Sequence, residues 1–512
     1  MSVPSASSRL DAFQRAVVES RARTIRVVAP AGSGKTRTIV ERTLRRLARG
    51  ISAGATLLLT FDRAAAATLA ERLEREARRR GVDPSGAKVA TLNAFGNRTL
   101  RERIPEEAGS VIGEAERLTI AGEALDRLEA ADRDLRWALP LHVEAGACLS
   151  LFTRLKNELV DPGGPDPDRV AGLLLDDPRL AAYLPPDPEA DGRGHEAARA
   201  WSWLYRAYDR ALRDRRGLDF DDQKLRTCLA LRRSARLRRH VREGLDEVVV
   251  DEFQDVNRLD FELVRAIASD ATLVVAGDDD QAIYGFRGCT SRYIVGLERH
   301  LGRPVESHEL RNNYRNPANL LRAAGRLIRH NRGRIAKRPV ATVEGRASIE
   351  ARRCASPEEE AAALGAWVRS RRGEGARLEE VAVLVRTHAQ AAAVAGGLEG
   401  RGIPCRTAGT DESHPPGPGG ASGRTPGRGL PVATYFKAKG RQWSHVALAG
   451  CNDGTIPHEL APVDDERRLF YVGLTRATES VLATYRRERG APPPSRFLRE
   501  AGLVRSLFGL LR

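Results

Sequence analysis

Residues Val27 to Thr36 read VVAPAGSGKT, and few ten-residue stretches leave a chain so little choice of fold. Two valines end a strand, the glycines permit a tight turn that presents backbone N–H groups, and Lys35 and Thr36 open a helix whose N-terminus carries partial positive charge. That is the layout of a phosphate-binding loop, where the lysine reaches the β- and γ-phosphates and the threonine hydroxyl ligates Mg²⁺. The pattern GxxxxGK[ST] is met except at Ala29, which stands in place of the first glycine. Ala31, Gly32, Ser33, Gly34, Lys35 and Thr36 are thus the expected phosphate contacts, with a nucleotide and Mg²⁺ as the expected ligands.

Such a strand belongs in a parallel sheet. Apolar, often β-branched runs recur at Thr24 to Ala29, Ala55 to Thr60, Glu247 to Asp251 and Thr272 to Gly277, as expected of strands buried on both faces of an α/β layer. A second set, at Ser348 to Arg352, Val381 to Arg386, Pro431 to Tyr435 and His445 to Gly450, predicts a second layer. Between about residues 101 and 217 the chain reads instead as charged amphipathic helices broken by Pro/Asp-rich loops. Residues Asp411 to Leu430, rich in Gly, Pro, Ser and Thr, read as a linker or surface loop spanning roughly 25 Å as a random coil.

The run EVVVDEFQD at 247–255 delivers two carboxylates to the end of a predicted strand. Asp251 suits Mg²⁺, held through water, and Glu252 suits orienting and deprotonating an attacking water. Phosphoryl transfer also needs positive charge on the transferred oxygens, and Arg315 in LRNNYRNP and Arg476 in LFYVGLTRAT are candidates. If they reach the γ-phosphate, the nucleotide lies between two domains and its hydrolysis can change their separation. In GDDDQAIYGFRG, at 277–288, Gln281 suits sensing a phosphate while Tyr284 and Phe286 suit stacking on bases.

Composition adds a partner and excludes others. With 84 basic and 68 acidic residues among 512, the net charge of +16 favours a polyanion. Only seven of the basic residues are lysine, at 35, 88, 156, 224, 337, 437 and 439, so lysine marks positions where arginine would not serve. Six dispersed cysteines form no metal-ligand spacing, and a reducing, cytoplasmic setting is expected. No run reaches the ~18 apolar residues of a membrane helix, and the N-terminus has no signal-peptide pattern.

The order of these motifs resembles the UvrD/Rep-type superfamily 1 DNA helicases. The resemblance rests on LDAFQ, APAGSGKTR, LTFDRAAA, TLNAF, LDFDD, VVVDEFQD, GDDDQAIYGFRG, NNYRN, AVLVRTHAQ, KAKG, RRLFYVGLTRA and PSRFL, which run from Leu10 to Leu498. It implies two RecA-like P-loop NTPase domains, the first of residues 1–100 and 218–300 with a helical insertion at 101–217, the second of 301–410 and 431–512. It further implies an ATP-dependent 3′ to 5′ DNA helicase or translocase acting on single-stranded DNA and single/double-strand junctions. Lys35, Thr36, Asp251, Glu252, Gln281, Arg315 and Arg476 would hydrolyse ATP. Gln14 would read the adenine, Tyr314 stack on it, Arg37 lie nearby and Gln442 hold the ribose. Phe61, Tyr284, Phe286 and Phe497 would stack on bases, with Arg287 and Lys439 close to the strand.

The chain departs from the family pattern in places. Phe436 replaces a DNA-contacting histidine, Gln442 a ribose-binding glutamate and Asn93 a frequent histidine, while Asp62, Arg63 and Ala64 replace polar residue, Asn and Lys. Gln442 can still bond a hydroxyl, and Lys437 supplies an extra charge. The family's 2B subdomain would also be missing, since residues 411–430 are too few to build it. A minimal motor is expected, with a protein partner as a candidate source of duplex engagement. The alternative is a non-motor DNA-binding adaptor that uses ATP as a switch.

Overall fold

The computed structural model describes residues 10–140, 142–189, 192–407, 429–487 and 492–504. It divides into two compact units, one of residues 1–28, 35–277 and 284–308, the other of 29–34, 278–283 and 309–512.

In the first unit the strands are β1 (Thr24–Val28), β2 (Thr56–Thr60), β3 (Lys88–Thr91), β4 (Ser110–Val111), β5 (Gly217–Leu218), β6 (Glu247–Val250), β7 (Thr272–Gly277) and β8 (Glu306–Glu309), the last reaching one residue into the second unit. Six of them form a sheet in the order β3-β2-β6-β7-β1-β8, with β2, β3, β6, β7 and β1 paired in parallel. Leu57, Leu59, Val248 and Val250 are buried in one core with Leu263 and Ile267 of the helix Arg258–Ile267. Leu58 and Val249, which alternate with these strand residues onto the other face, are buried as well, and burial on both faces is why the strands read as unbroken apolar runs. The register matches Val28 with Gly277, Leu59 with Val250 and Val250 with Val275, so β1, β2, β6 and β7 end on one edge. Loops that follow parallel strands gather at that edge, the usual place for a ligand in such sheets.

The helical block leaves and rejoins this unit through a small parallel ladder, Ser110 with Gly217 and Val111 with Leu218. Between these strands lie helices Glu114–Ala131, Arg133–Trp137, Ala145–Asn157, Pro167–Asp176 and Arg193–Asp214. They enclose their own core of Ile120, Leu151, Phe152, Trp201, Tyr205 and Tyr208. Residue 101, where the sequence suggested the insertion begins, lies inside the helix Leu92–Arg103, whose Leu92 and Phe95 pack into the sheet core.

The second unit holds β9 (Asn312–Asn313), β10 (Val340–Ala341), β11 (Ser348–Cys354), β12 (Val381–Val385), β13 (Cys405–Thr407), β14 (Leu430–Thr434), β15 (Trp443–Leu448) and β16 (Ala477–Arg486). β9 and β10 pair with each other, and the rest form an all-parallel sheet ordered β11-β16-β15-β12-β14-β13. Val381, Val383, Val385, Leu430 and Val432 meet Leu364, Trp367 and Leu398 in its core. β13 and β14 are neighbours, Cys405 opposite Leu430, and residues 408–429 join them. The expected linker at 411–430 lies outside the described residues except for Gly429 and Leu430, and Leu430 already belongs to β14. Among the described residues no helix is long and apolar enough to cross a membrane.

Candidate nucleotide site and aromatic loop

The glycines of the phosphate loop adopt the backbone that the motif requires. Gly32 and Gly34 have φ of 78° and 82°, a left-handed region costly for residues with a Cβ. Space forbids a side chain as well, since a Cβ on Gly32 would lie 2.6 Å from the Cβ of Arg315. Neighbouring segments hold the loop's backbone: Asn313 Nδ2 donates to the Ala31 carbonyl at 2.6 Å, Tyr314 N–H to the Gly32 carbonyl at 2.9 Å, and Ala31 N–H to Asp278 Oδ2 at 3.2 Å. Ser33 is buried, its N–H bonded to the Pro30 carbonyl at 3.1 Å.

Lys35 opens the helix Lys35–Leu47, with Thr36 and Arg37 next in its first turn. Its ammonium lies 2.6 Å from Asp251 and 2.5 Å from Glu252, the two residues that follow β6. Burial alone would lower the lysine's pKa, but the two carboxylates outweigh it and the net shift is upward. Burial is also the main reason that Asp251 is raised above the ordinary carboxyl range, with Glu252 adding to it and Lys35 opposing. Glu252 has a left-handed φ of 54°, an unfavourable state for a residue with a side chain. It is held there by its own N–H to Asp251 Oδ1 at 2.8 Å and by the Gln254 amide donating to Oε2 at 2.5 Å. Gln254, fully buried, is a positioning residue that the sequence reading passed over although it stands inside EVVVDEFQD.

These residues fit Mg²⁺ and a nucleotide phosphate. The Asp251 carboxylate already accepts a cation, the Lys35 ammonium, and the Thr36 hydroxyl adds a hard oxygen donor of the kind Mg²⁺ prefers.

In the second unit Gln281 is bonded on every side. Its Nε2 donates to Asp278 Oδ2 at 2.7 Å, its Oε1 accepts from Arg476 Nη2 at 2.8 Å, and its carbonyl accepts from Lys439 Nζ at 2.9 Å. Arg476 is buried, and Arg315 is half-buried with its N–H on Asn313 Oδ1 at 2.9 Å. Tyr314 is 46% exposed. Gln442 is exposed, directly before β15, whereas Gln14 is buried and its amide caps the helix Ala12–Glu19 by accepting the Asp11 N–H at 3.3 Å.

The expected stacking residues separate into two groups. Phe61 and Tyr284 stack on each other with centroids 5.6 Å apart and planes 12° from parallel, and Phe286 meets Tyr284 edge-on at 6.2 Å. The Arg287 guanidinium lies 5.7 Å from the Tyr284 ring and 5.6 Å from the Phe286 ring, and Phe286 is 54% exposed. Helix Ala145–Asn157 of the insertion steadies this loop, Asn157 Nδ2 donating to the Arg287 carbonyl at 3.0 Å. Phe497 is a correction: it is 0% exposed, packed on Phe470 at 5.7 Å and under Arg467 at 5.3 Å, so it belongs to the core and presents no stacking surface.

The unusual residues also find partners. Phe436 packs under the Arg386 guanidinium at 5.2 Å, Asn93 Nδ2 donates to the Phe220 carbonyl at 2.6 Å, and Asp62 caps the helix Arg63–Arg80 through the Ala65 N–H at 2.7 Å. Lys337 and its acidic partners were missed, although the rarity of lysine flagged the position. Its ammonium meets Asp278, Asp279 and Asp280 at 2.9, 2.7 and 2.6 Å.

Comparison with known families gives two consecutive matches. Residues 10–301 match the UvrD/REP helicase N-terminal domain, and residues 308–412 and 425–488 match the UvrD-like helicase C-terminal domain. The "ATP-dependent DNA helicase UvrD1" of Mycobacterium bovis is 30% identical over 413 residues, 78% of this chain and 50% of that protein. "DNA helicase II" of Escherichia coli is 27% identical over 408 residues, 77% of this chain and 50% of that protein. "ATP-dependent DNA helicase UvrD2" of M. bovis is 27% identical over 598 positions, covering 96% of this chain and 81% of that protein. The chain therefore spans about half the length of the first two relatives.

Proposed function

Because the chain belongs to the UvrD/REP helicase family, we propose that it is an ATP-driven motor that tracks single-stranded DNA from 3′ to 5′. The observation that carries the reading is Lys35 drawn between Asp251 and Glu252 at the end of β6, a lysine and carboxylates set for phosphoryl transfer. The backbone of 31–34 and the Lys35 ammonium hold the phosphates, while Thr36 and Asp251 hold Mg²⁺. Mg²⁺ there neutralises charge on the phosphate oxygens. Glu252, kept in place by Gln254, orients the attacking water and takes its proton. Gln281, Arg315 and Arg476 meet the developing charge on the transferred phosphoryl group. Gln14, Arg37, Tyr314 and Gln442 hold the adenosine.

Phe61, Tyr284, Phe286 and Arg287 form the platform for the strand, and Lys439 is a further residue assigned to strand binding. Base stacking is worth ~1–3 kcal/mol per base and is tolerant of sequence, as a moving motor requires. Residues 1–100 and 218–300 act as one motor domain with 101–217 inserted in it, and 301–410 with 431–512 as the other. Residues 411–430 stand where the family carries its 2B subdomain. In support, the alignment with UvrD2 runs over 598 positions against the 512 residues of this chain, so that relative carries segments with no counterpart here. The chain then translocates readily but unwinds long duplexes poorly without a protein partner.

The test is ATP turnover with and without single-stranded DNA, combined with unwinding of 3′- and 5′-tailed duplexes. DNA-stimulated turnover with a 3′-tail preference supports the motor. ATP binding without turnover replaces it with the adaptor reading, and processive unwinding by a monomer overturns the role given to residues 411–430.

A further inference from the structure

Lys337 lies three residues beyond Arg334 in a stretch that none of the sequence motifs covers. Its side chain is 3% exposed, yet its ammonium reaches three consecutive carboxylates, Asp278 at 2.9 Å, Asp279 at 2.7 Å and Asp280 at 2.6 Å. Arg334 adds a two-pronged pair to Asp280, Nε to Oδ1 at 2.8 Å and Nη2 to Oδ2 at 2.5 Å. Lys337 and Arg334 together outweigh burial at Asp280 and hold its carboxyl below the ordinary range. Asp279 has Lys337 and the Ile335 N–H at 2.9 Å, and there burial prevails and raises the carboxyl. Among the described residues, Lys337 and Arg334 both pair with these buried acids, and Lys337 reaches all three.

Asp278 has duties elsewhere. Its Oδ2 accepts the Ala31 N–H of the phosphate loop at 3.2 Å and the Gln281 amide at 2.7 Å. Its backbone carbonyl accepts the Gln281 N–H at 2.8 Å, and Gln281 in turn accepts from Arg476. Without Lys337, Asp278 would face Asp279 and Asp280 with less opposing charge, and a repelled Asp278 would move and shift the phosphate loop and Gln281 together.

We propose that Lys337 is a positioning residue for ATP hydrolysis: by neutralising the run Asp278 to Asp280 it keeps Asp278 fixed between the Ala31 amide and the Gln281 carboxamide. The inference deepens the ATPase reading and rests on it. It also accounts for a lysine in a chain that otherwise prefers arginine. A compact ammonium fits as a point charge among three separate carboxylates, whereas a guanidinium is a broad planar fork suited to one or two.

The test uses the whole chain and measures kcat and KM for DNA-stimulated ATP turnover in Lys337→Met, Lys337→Arg and the double variant Lys337→Met, Asp279→Asn, with thermal melting as a check on folding. Lys337→Met is expected to lose about 30-fold or more in kcat while the KM for ATP moves less than about 3-fold. The double variant, which removes one carboxylate along with the cation, should regain most of that loss. Lys337→Arg keeps the charge and decides the matter should Lys337→Met fail to fold: reduced kcat at unchanged KM supports the inference, and wild-type kcat overturns it. Wild-type kcat in a folded Lys337→Met, or a double variant no better than the single one, also overturns it. Absence of turnover in the unaltered chain overturns the ATPase reading itself and the inference with it.

Discussion

Arg476 Nη2 donates to Gln281 Oε1 at 2.8 Å across 195 positions of sequence. The arginine is buried, and its Nε also donates to the Val472 carbonyl at 3.0 Å, so its direction is set before any ligand arrives. Gln281→Leu removes the acceptor and leaves a buried guanidinium group under-satisfied. We expect DNA-stimulated turnover to fall about 100-fold, and stability to fall by about 1–3 kcal/mol. Steady-state kinetics and denaturant melts read the two effects separately.

Lys35→Ala takes the cation from between Asp251 and Glu252. Turnover should drop to background, while single-stranded DNA binding by fluorescence anisotropy changes less than about 3-fold, because Phe286 and Arg287 are untouched. Retained turnover would refute the assignment of the hydrolytic residues.

Two phenylalanines should behave in opposite ways. Phe286, half-exposed beside Tyr284 and Arg287, should cost ~1–3 kcal/mol of single-strand affinity when changed to Ala, with the melting temperature unchanged. Phe497, enclosed by Phe470 and Arg467, should cost about 3–5 kcal/mol of stability on the same change. Loss of DNA affinity without loss of stability in Phe497→Ala would contradict its place in the core.

The first unit contains a buried charge cluster with a testable pH response. Lys156 Nζ donates to Asp219 and Asp222, both at 2.6 Å. Burial and the neighbouring Asp219 push the Asp222 carboxyl up to about 6, whereas Lys156 and Arg117 outweigh burial and hold Asp219 below the ordinary range. A carboxyl raised in the folded state binds a proton more tightly there than in the unfolded chain, so its term gains stability as pH falls from about 6 to about 4. The Asp219 term is present above its ordinary pKa near ~4 and is lost only as pH falls through its depressed folded value. Asp222→Asn should therefore be more stable relative to wild type at about pH 7 than at about pH 4.5, by about 1–3 kcal/mol. Parallel pH dependence of the two proteins in denaturant melts would remove the charge cluster as its cause.

Strand positions were legible where both faces are buried. β2 (TLLLT) and β6 (EVVV) read plainly because each position must be apolar or lie at an end. β8, with sequence ESHE, was not legible, since an edge strand keeps one side in water and needs no apolar run. The phosphate loop and the Asp251–Glu252 pair were readable because their demands are local, a glycine at positive φ or a carboxylate at a strand end. Lys337 was flagged by rarity alone; its partners sit on the segment after β7, and no spacing rule connects 337 with 278–280.

Local chemistry therefore places the turn at Gly32 and Gly34 and the acidic pair at Asp251 and Glu252 in the amino-acid order itself, because backbone sterics and strand periodicity act over a few residues. Only the folded chain settles which charges meet and which rings are covered. Parallel register brings Asp251 to Lys35 across more than two hundred residues, and packing, not residue type, leaves Phe286 half-exposed and encloses Phe497. An aromatic ring has the same chemistry in either place, so its role is decided by what the rest of the chain lays over it.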